Sequence, residues 1–316
     1  MNKRRMLAIL IGASLIGWGI WYRKRKRRDL AWSVDNSLEE VAQAHSEYLR
    51  TNHPKYHKKY EALLTADREA ALGEAAVFSL LKTYFRVRPQ PADEPGTGGV
   101  DFLCNKGRRE EFVVEVTSLK PAAVAARSGI PEEVEDNAGG AFKMTTDQLF
   151  ATVQSKADQL SDYDCPRVLA ITSTHYASSF LLGTMGAEFL LTSEPKITYP
   201  LAGSGDDVSL TTNLKRSVFF APSGHGEEIV SRRRSVSAVL LIALAGNQSS
   251  VLGILHPDPA KKLSIEHFRE VPFLRLTKWP IEAGAIKIEW VISSPEAKVF
   301  PHAPVAHLSP SLILDS

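Results

Sequence analysis

Residues Gly99 to Lys120 read GVDFLCNKGRREEFVVEVTSLK, and the alternation within them decides the fold. Val100, Phe102 and Cys104 alternate with Asp101 and Leu103. After a basic turn, Phe112, Val114 and Val116 alternate with Val113, Glu115 and Thr117. Strand side chains point alternately to opposite faces, so this period of two predicts a pair of adjacent strands. It also puts Asp101 and Glu115 on the side away from the more apolar face. Two carboxylates on neighbouring strands repel each other and gain nothing from packing. A hard divalent cation such as Mg2+ takes oxygen ligands and reverses that sign. The pattern therefore points to a metal-dependent hydrolytic site, with Mg2+ or Mn2+ as the ion.

Outward on the N-terminal side, Ala66 to Phe85 has helical composition and no internal proline. Ala70, Ala71, Val77, Phe78 and Leu81 form its apolar stripe, and Glu74 falls in the middle of it. An unpaired acid facing a core is costly, so Glu74 needs a metal, a cation or a proton. The alternative is a helix-edge Glu whose stem packs while its head reaches water. On the C-terminal side, Ala141 to Leu160 returns to helical periodicity, with Phe142, Leu149, Val153 and Leu160 as the buried stripe. Lys156 falls within that stripe and Gln159 at its edge. Lys156 either reaches the sheet or snorkels along the apolar face to water.

Taken together, the Gly-rich turn, the Asp opening one strand and the VVEVTSL that follows the hairpin resemble the core of the PD-(D/E)XK nuclease superfamily. The resemblance covers roughly residues 66 to 175. It implies a restriction-endonuclease-like α/β fold, a mixed central sheet flanked by helices, with Asp101 and Glu115 as the motif acids. Thr117 stands where that family usually has Lys, which positions or activates the attacking water. Some branches supply the lysine from another element, and Lys156, Gln159 and Leu160 match a relocated K-x-x-Q-L pattern on the following helix. Glu74 matches the family's glutamate on the first core helix. The resemblance implies that Asp101, Glu115, Glu74 and the backbone carbonyl of Val116 hold one or two metal ions. Lys156 would then stabilise developing charge, Thr117 would offer a hydroxyl, and phosphodiester hydrolysis of nucleic acid, DNA foremost, would be the reaction. The rival reading is a nuclease-fold module without chemistry, serving as a membrane-anchored binding or scaffold protein.

The N-terminus carries the second strong signal. Met6 to Tyr22, MLAILIGASLIGWGIWY, is uncharged and bracketed by Lys3, Arg4, Arg5 and by the six basic residues Arg23 to Arg28. Seventeen apolar residues sit at the short end of a bilayer span, about 17–25 residues. Trp18, Trp21 and Tyr22 suit an interfacial aromatic belt. Six basic residues directly after the run, with no small-residue cleavage site, are wrong for a signal peptide. The expectation is a membrane anchor over 1–28, with Arg23 to Arg28 holding anionic lipid on the cytoplasmic side. Two cysteines, Cys104 and Cys165, make no disulfide framework and fit a reducing compartment.

Charge partition tempers the nucleic-acid reading. The chain has 38 Lys+Arg and 36 Asp+Glu, but residues 1–28 hold nine of the basic ones and no acid. The remainder is acidic, whereas nucleic-acid binders usually present a basic face. Arg232, Arg233 and Arg234 are the first candidates for a phosphate contact, with Gln159 from the helix pattern, and Lys215 and Arg216 second. Their alternative is a solvated loop or strand end.

Elsewhere the pattern speaks of fold. Residues 29–65 read as helices broken near Pro54 that link anchor to domain, and 66–316 as the α/β domain with a strand-rich C-terminal extension. Arg167 to Thr172 predicts a buried strand and Ser178 to Leu191 a helix behind it. Val236 to Ala245 and Val251 to Leu255 predict strands paired through a Gly246-Asn247 turn. Ile286 to Ile292 predicts another strand, with Trp290 packing. The loop from Pro121 to Gly140 is a candidate cover over the acids.

Overall fold

The computed structural model describes residues 38–300 except 91–98, 107–109, 129–141, 161–162, 193–194, 199–208, 213–216, 224–227, 245–248, 267, 270, 282–285 and 294–297. The expected membrane span at 6–22, the basic run at 23–28, Lys215, Arg216, the Gly246-Asn247 turn and most of the expected cover loop lie outside the described residues. Among the described residues, no helix is long and apolar enough to cross a membrane.

Three helices open the described chain: α1 (Leu38–Asn52), α2 (Pro54–Ala66) and α3 (Arg68–Tyr84). Pro54 takes the first turn of α2, where its missing N–H costs no helical bond. Asp67 caps α3 through its side chain, which accepts from the Ala70 N–H at 3.3 Å. Strands β1 (Arg86–Pro89), β2 (Phe102–Lys106) and β3 (Glu110–Ser118) follow, then α4 (Pro121–Ser128), α5 (Phe142–Gln159) and β4 (Arg167–Ser173). Next come α6 (Ser178–Leu181), α7 (Thr184–Thr192) and two short hairpins, β5 (Pro195–Thr198) with β6 (Ser209–Thr212) and β7 (Phe220–Pro222) with β8 (Ile229–Ser231). The chain closes with β9 (Ala238–Ala243), β10 (Ser250–Leu255), β11 (Pro272–Leu276), β12 (Ile288–Ile292) and β13 (Lys298–Phe300).

Nine of these strands form one mixed sheet in the order β1-β2-β3-β4-β9-β10-β11-β12-β13. β2 runs antiparallel to both β1 and β3, while β3, β4 and β9 are mutually parallel. The expected hairpins are present: Phe102 faces Val114 across β2 and β3, and Leu252 faces Leu241 across β10 and β9. Trp290 is buried, as its strand pattern predicts. The expected α/β architecture, a mixed sheet flanked by helices, is the one observed.

Both faces of the sheet are covered. One carries the α1–α3 layer, with Leu49, Tyr60, Val77 and Leu81 against Phe102, Val114 and Ala170. The other carries the layer built from α4, α5 and α7, with Leu149, Val153 and Leu190 against Val113, Leu169 and Leu241. Glu115 alternates with Val114 and Val116, which pack in the first of these layers, so it stands away from that more apolar side, as its strand pattern predicts. That face of β3 is not bare, however: Val113 shares it and packs in the layer of α5. Nor do α1 and α2 act only as a linker, since Val41, Ala42, His45, Leu49, Tyr56 and Tyr60 are all buried. The helix expected over 178–191 divides into α6 and α7 around Gly183. A Cβ there would stand 2.2 Å from the Ser179 carbonyl oxygen.

One glycine fixes how the first helical layer meets the sheet. A Cβ on Gly73 would lie 2.3 Å from Thr172 Oγ1 and 2.4 Å from Ser118 Oγ. Those hydroxyls are hydrogen-bonded to each other at 2.7 Å, and Ser118 Oγ also donates to the Glu69 carbonyl at 3.2 Å. Helix α3 therefore rests directly on the ends of β3 and β4. Its next residue, Glu74, is set at a fixed height above them.

Candidate functional site

Glu74, Asp101 and Glu115 come from three separate elements and line one cavity of about 440 Å³. Glu74 projects from the middle of α3, Asp101 stands just before β2, and Glu115 is central in β3. Tyr56, Lys59, Tyr60 and Leu63 of α2 form the facing wall, and Val116 and Ser118 complete the β3 side.

Each carboxylate is held by a different donor. Asp101 Oδ2 accepts the Val116 N–H at 2.7 Å, which ties the start of β2 to β3. Tyr56 Oη donates to Glu74 Oε1 at 3.0 Å. Lys156 Nζ donates to Glu115 Oε1 at 2.7 Å, so the lysine reaches the sheet from α5. The second Glu115 oxygen, Oε2, is buried and has no hydrogen-bond partner among the described residues. Behind Glu74 lies His45, packed among the rings of Tyr60, Phe78 and Phe102, with Nε2 3.7 Å from Glu74 Oε1. Burial pushes its pKa down to about 3, so it is a neutral neighbour.

Electrostatically the three acids share one condition. Burial raises Glu74 to about 7, against the Tyr56 hydrogen bond and the Lys59 charge. Burial and then the Glu74 charge raise Asp101 to about 7, against the Val116 N–H, Lys59 and Lys156. Burial and the Asp101 charge raise Glu115 to about 7, against Lys156 and Lys59. Desolvation dominates in every case, with mutual repulsion second for Asp101 and Glu115. A site with three such groups readily takes up positive charge, whether a proton or a cation.

The donor set suits a hard divalent ion: carboxylate oxygens on one cavity, one of them an orphan. As placed, however, no three His, Cys, Asp or Glu side chains among the described residues stand close enough together to hold a metal. Glu74 is turned to Tyr56 and Glu115 to Lys156.

Other expected site residues lie elsewhere or remain secondary. Thr117 is partly buried two residues beyond Glu115 and does not line the cavity. Val116 does line it, and its N–H is committed to Asp101. The Gln159 side chain lies outside the described ones. Arg232, Arg233 and Arg234 do not line the cavity. Arg233 Nη1 donates to the Val218 carbonyl at 2.6 Å, and Arg234 pairs with Asp258 at 3.3 Å. These two arginines join loops to one another. In contrast, Tyr56 and Lys59 on α2 were not singled out from the sequence. The available signal was the 56, 59, 60, 63 spacing, which gives α2 one face shared by aromatic, basic and aliphatic groups. Comparison with protein-family models, with curated proteins and with solved structures finds no match for this chain.

Proposed function

We propose that this chain is a metal-dependent phosphodiester hydrolase of the PD-(D/E)XK type, tethered to the cytoplasmic face of a membrane through residues 6–22. One observation carries the reading: Glu74, Asp101 and Glu115, from three separate elements, line a single cavity with Lys156 bonded to Glu115. A sheet with helices on both faces supports it, and so does the ammonium standing near the acids although β3 carries Thr117 in the lysine position.

Asp101, Glu115 and Glu74 are the residues that would hold Mg2+ or Mn2+. A bound ion of this kind polarises phosphate and lowers the pKa of bound water. The remaining work belongs to the chain's own groups. The Val116 N–H fixes the Asp101 carboxylate, and Tyr56 orients Glu74. Lys156, once released from Glu115, offers its ammonium to the negative charge that builds on phosphorus-bound oxygens as water attacks. The water oxygen bonds to phosphorus, one ester P–O bond breaks, and the departing oxygen leaves with a proton.

The test is cleavage of plasmid, linear and single-stranded DNA and of RNA by the full chain in detergent micelles with Mn2+ or Mg2+. Loss of cutting in both Asp101→Ala and Glu115→Ala supports the reading, and unchanged cutting by either refutes its assignment. A second reading, a non-catalytic binding module, is favoured by Thr117 and by the protein donor already on each carboxylate. No cutting together with no calorimetric metal binding would select it.

A further inference from the structure

The wall opposite the acids belongs to α2, and its chemistry differs from theirs. Lys55, Lys58 and Lys59 fall at positions i, i+3 and i+4, on one face of that helix, and all three are exposed. Lys59 also lines the cavity, with Nζ 5.7 Å from the Tyr56 ring centroid, and makes no ion pair among the described residues. Its charge favours the ionised form of each of the three carboxylates on that cavity. An acidic body thus carries a short basic track that ends at the acids.

The track is firmly built. Tyr60 Oη donates to the Ala71 carbonyl at 3.1 Å and Tyr56 Oη to Glu74, so α2 is pinned to α3 along the cavity wall. Leu63, Ala66 and Ala70 supply an apolar side. The space is small and Glu74 and Glu115 on it are buried, so a reacting group must enter it to reach them. The cavity's 440 Å³ lies near the low end of cavities that hold a small molecule, about 300–1,000 Å³. That is the scale of one nucleotide unit rather than of stacked base pairs.

From these observations we infer that the substrate is a single nucleic-acid strand, laid along α2 with its phosphates on Lys55, Lys58 and Lys59 and one nucleotide unit in the cavity. The inference rests on the hydrolase reading for its purpose but on the α2 surface for its geometry. Backbone neutralisation by lysine is independent of base sequence, so this binding is sequence-tolerant.

The test is fluorescence anisotropy of short labelled oligonucleotides with the full chain in micelles, in EDTA so that no cleavage intervenes. Single-stranded DNA, single-stranded RNA and blunt duplex DNA are compared across a salt series. Either single strand should bind roughly tenfold tighter than duplex, a difference of about 1.4 kcal/mol. The Lys55→Gln/Lys58→Gln/Lys59→Gln triple variant should weaken single-strand binding and lower its salt slope by about 2, since each phosphate contact on a single strand contributes about 0.7. Its circular dichroism should match wild type, because all three side chains are exposed. Duplex bound as tightly as single strand, an unchanged salt slope in the variant, or no binding of any oligonucleotide would each overturn the inference. Selective strand binding without cleavage when Mn2+ is restored would instead leave the track standing and sink the hydrolase reading.

Discussion

Two charged clusters stand out in this sequence, and the fold treats them in opposite ways. Arg233 and Arg234 end on main-chain carbonyls of Val218 and Asp258, and the backbone around them is bonded to Phe219 and Ala260. Arg233 even holds a positive φ of 53° to make its contact. The cluster at Glu74, Asp101 and Glu115 is more deeply buried yet less completely bonded, with one Glu115 oxygen left over and all three groups pushed toward pH 7. Charge near the surface that is bonded to the main chain ties loops together. Buried charge left incompletely bonded has capacity for something else.

Mutation separates the two clusters most sharply through activity. Asp101→Asn and Glu115→Gln should each lower cleavage about a thousandfold under Mn2+, with the fold intact by circular dichroism. The double variant Arg232→Ala/Arg234→Ala should stay within about threefold of wild type. Equal losses from both sets would erase the distinction. Next in size is Gly73→Ala, which drives a methyl into Thr172 and Ser118 and should cost about 1–3 kcal/mol in chemical denaturation. The same change should depress cleavage more than stability explains, because it moves Glu74.

Titration sharpens the comparison further. Each acid keeps its proton up to about 7 in the folded chain, against roughly 4 when unfolded. Between those values the folded state binds more protons, so in EDTA stability should fall as pH rises from about 4 to about 7 and level off above. Glu115→Gln should flatten that fall, and Mn2+ at pH 8 should raise the thermal midpoint of wild type but less that of the variant. A stability curve that rises over this interval would contradict the burial assigned to the acids. The smallest expected effect is Arg234→Ala, which breaks an exposed ion pair worth about 0–1 kcal/mol in denaturant midpoints.

Much of the acid site was legible because its signals are local. The period of two at 100–104 and 112–117 locates the strands, and the apolar stripes of α3 and α5 turn Glu74 and Lys156 inward. What was not legible depends on tertiary packing. Nothing in Tyr56 or Lys59 announces that α2 folds back over the acids, since that follows from the α1–α2 corner at Pro54 and the contacts with α3. The second covered face was hidden for a related reason: Val113 and Leu103 share a face with the acids, and two apolar residues among polar neighbours are too few to mark an interior. Strands of three or four residues, such as β7 and β8, are too short to show a period.

The bond between Lys156 and Glu115 joins positions 41 residues apart, across a helix and a strand. In a lysine-on-the-strand arrangement the cation and the acid would leave the ribosome almost together. Here the acids are made first and stay without their ammonium until α5 has been synthesised and has docked on the sheet. In the hydrolase proposed above, competence would thereby be conditional on completed tertiary assembly, which a half-made chain cannot bypass.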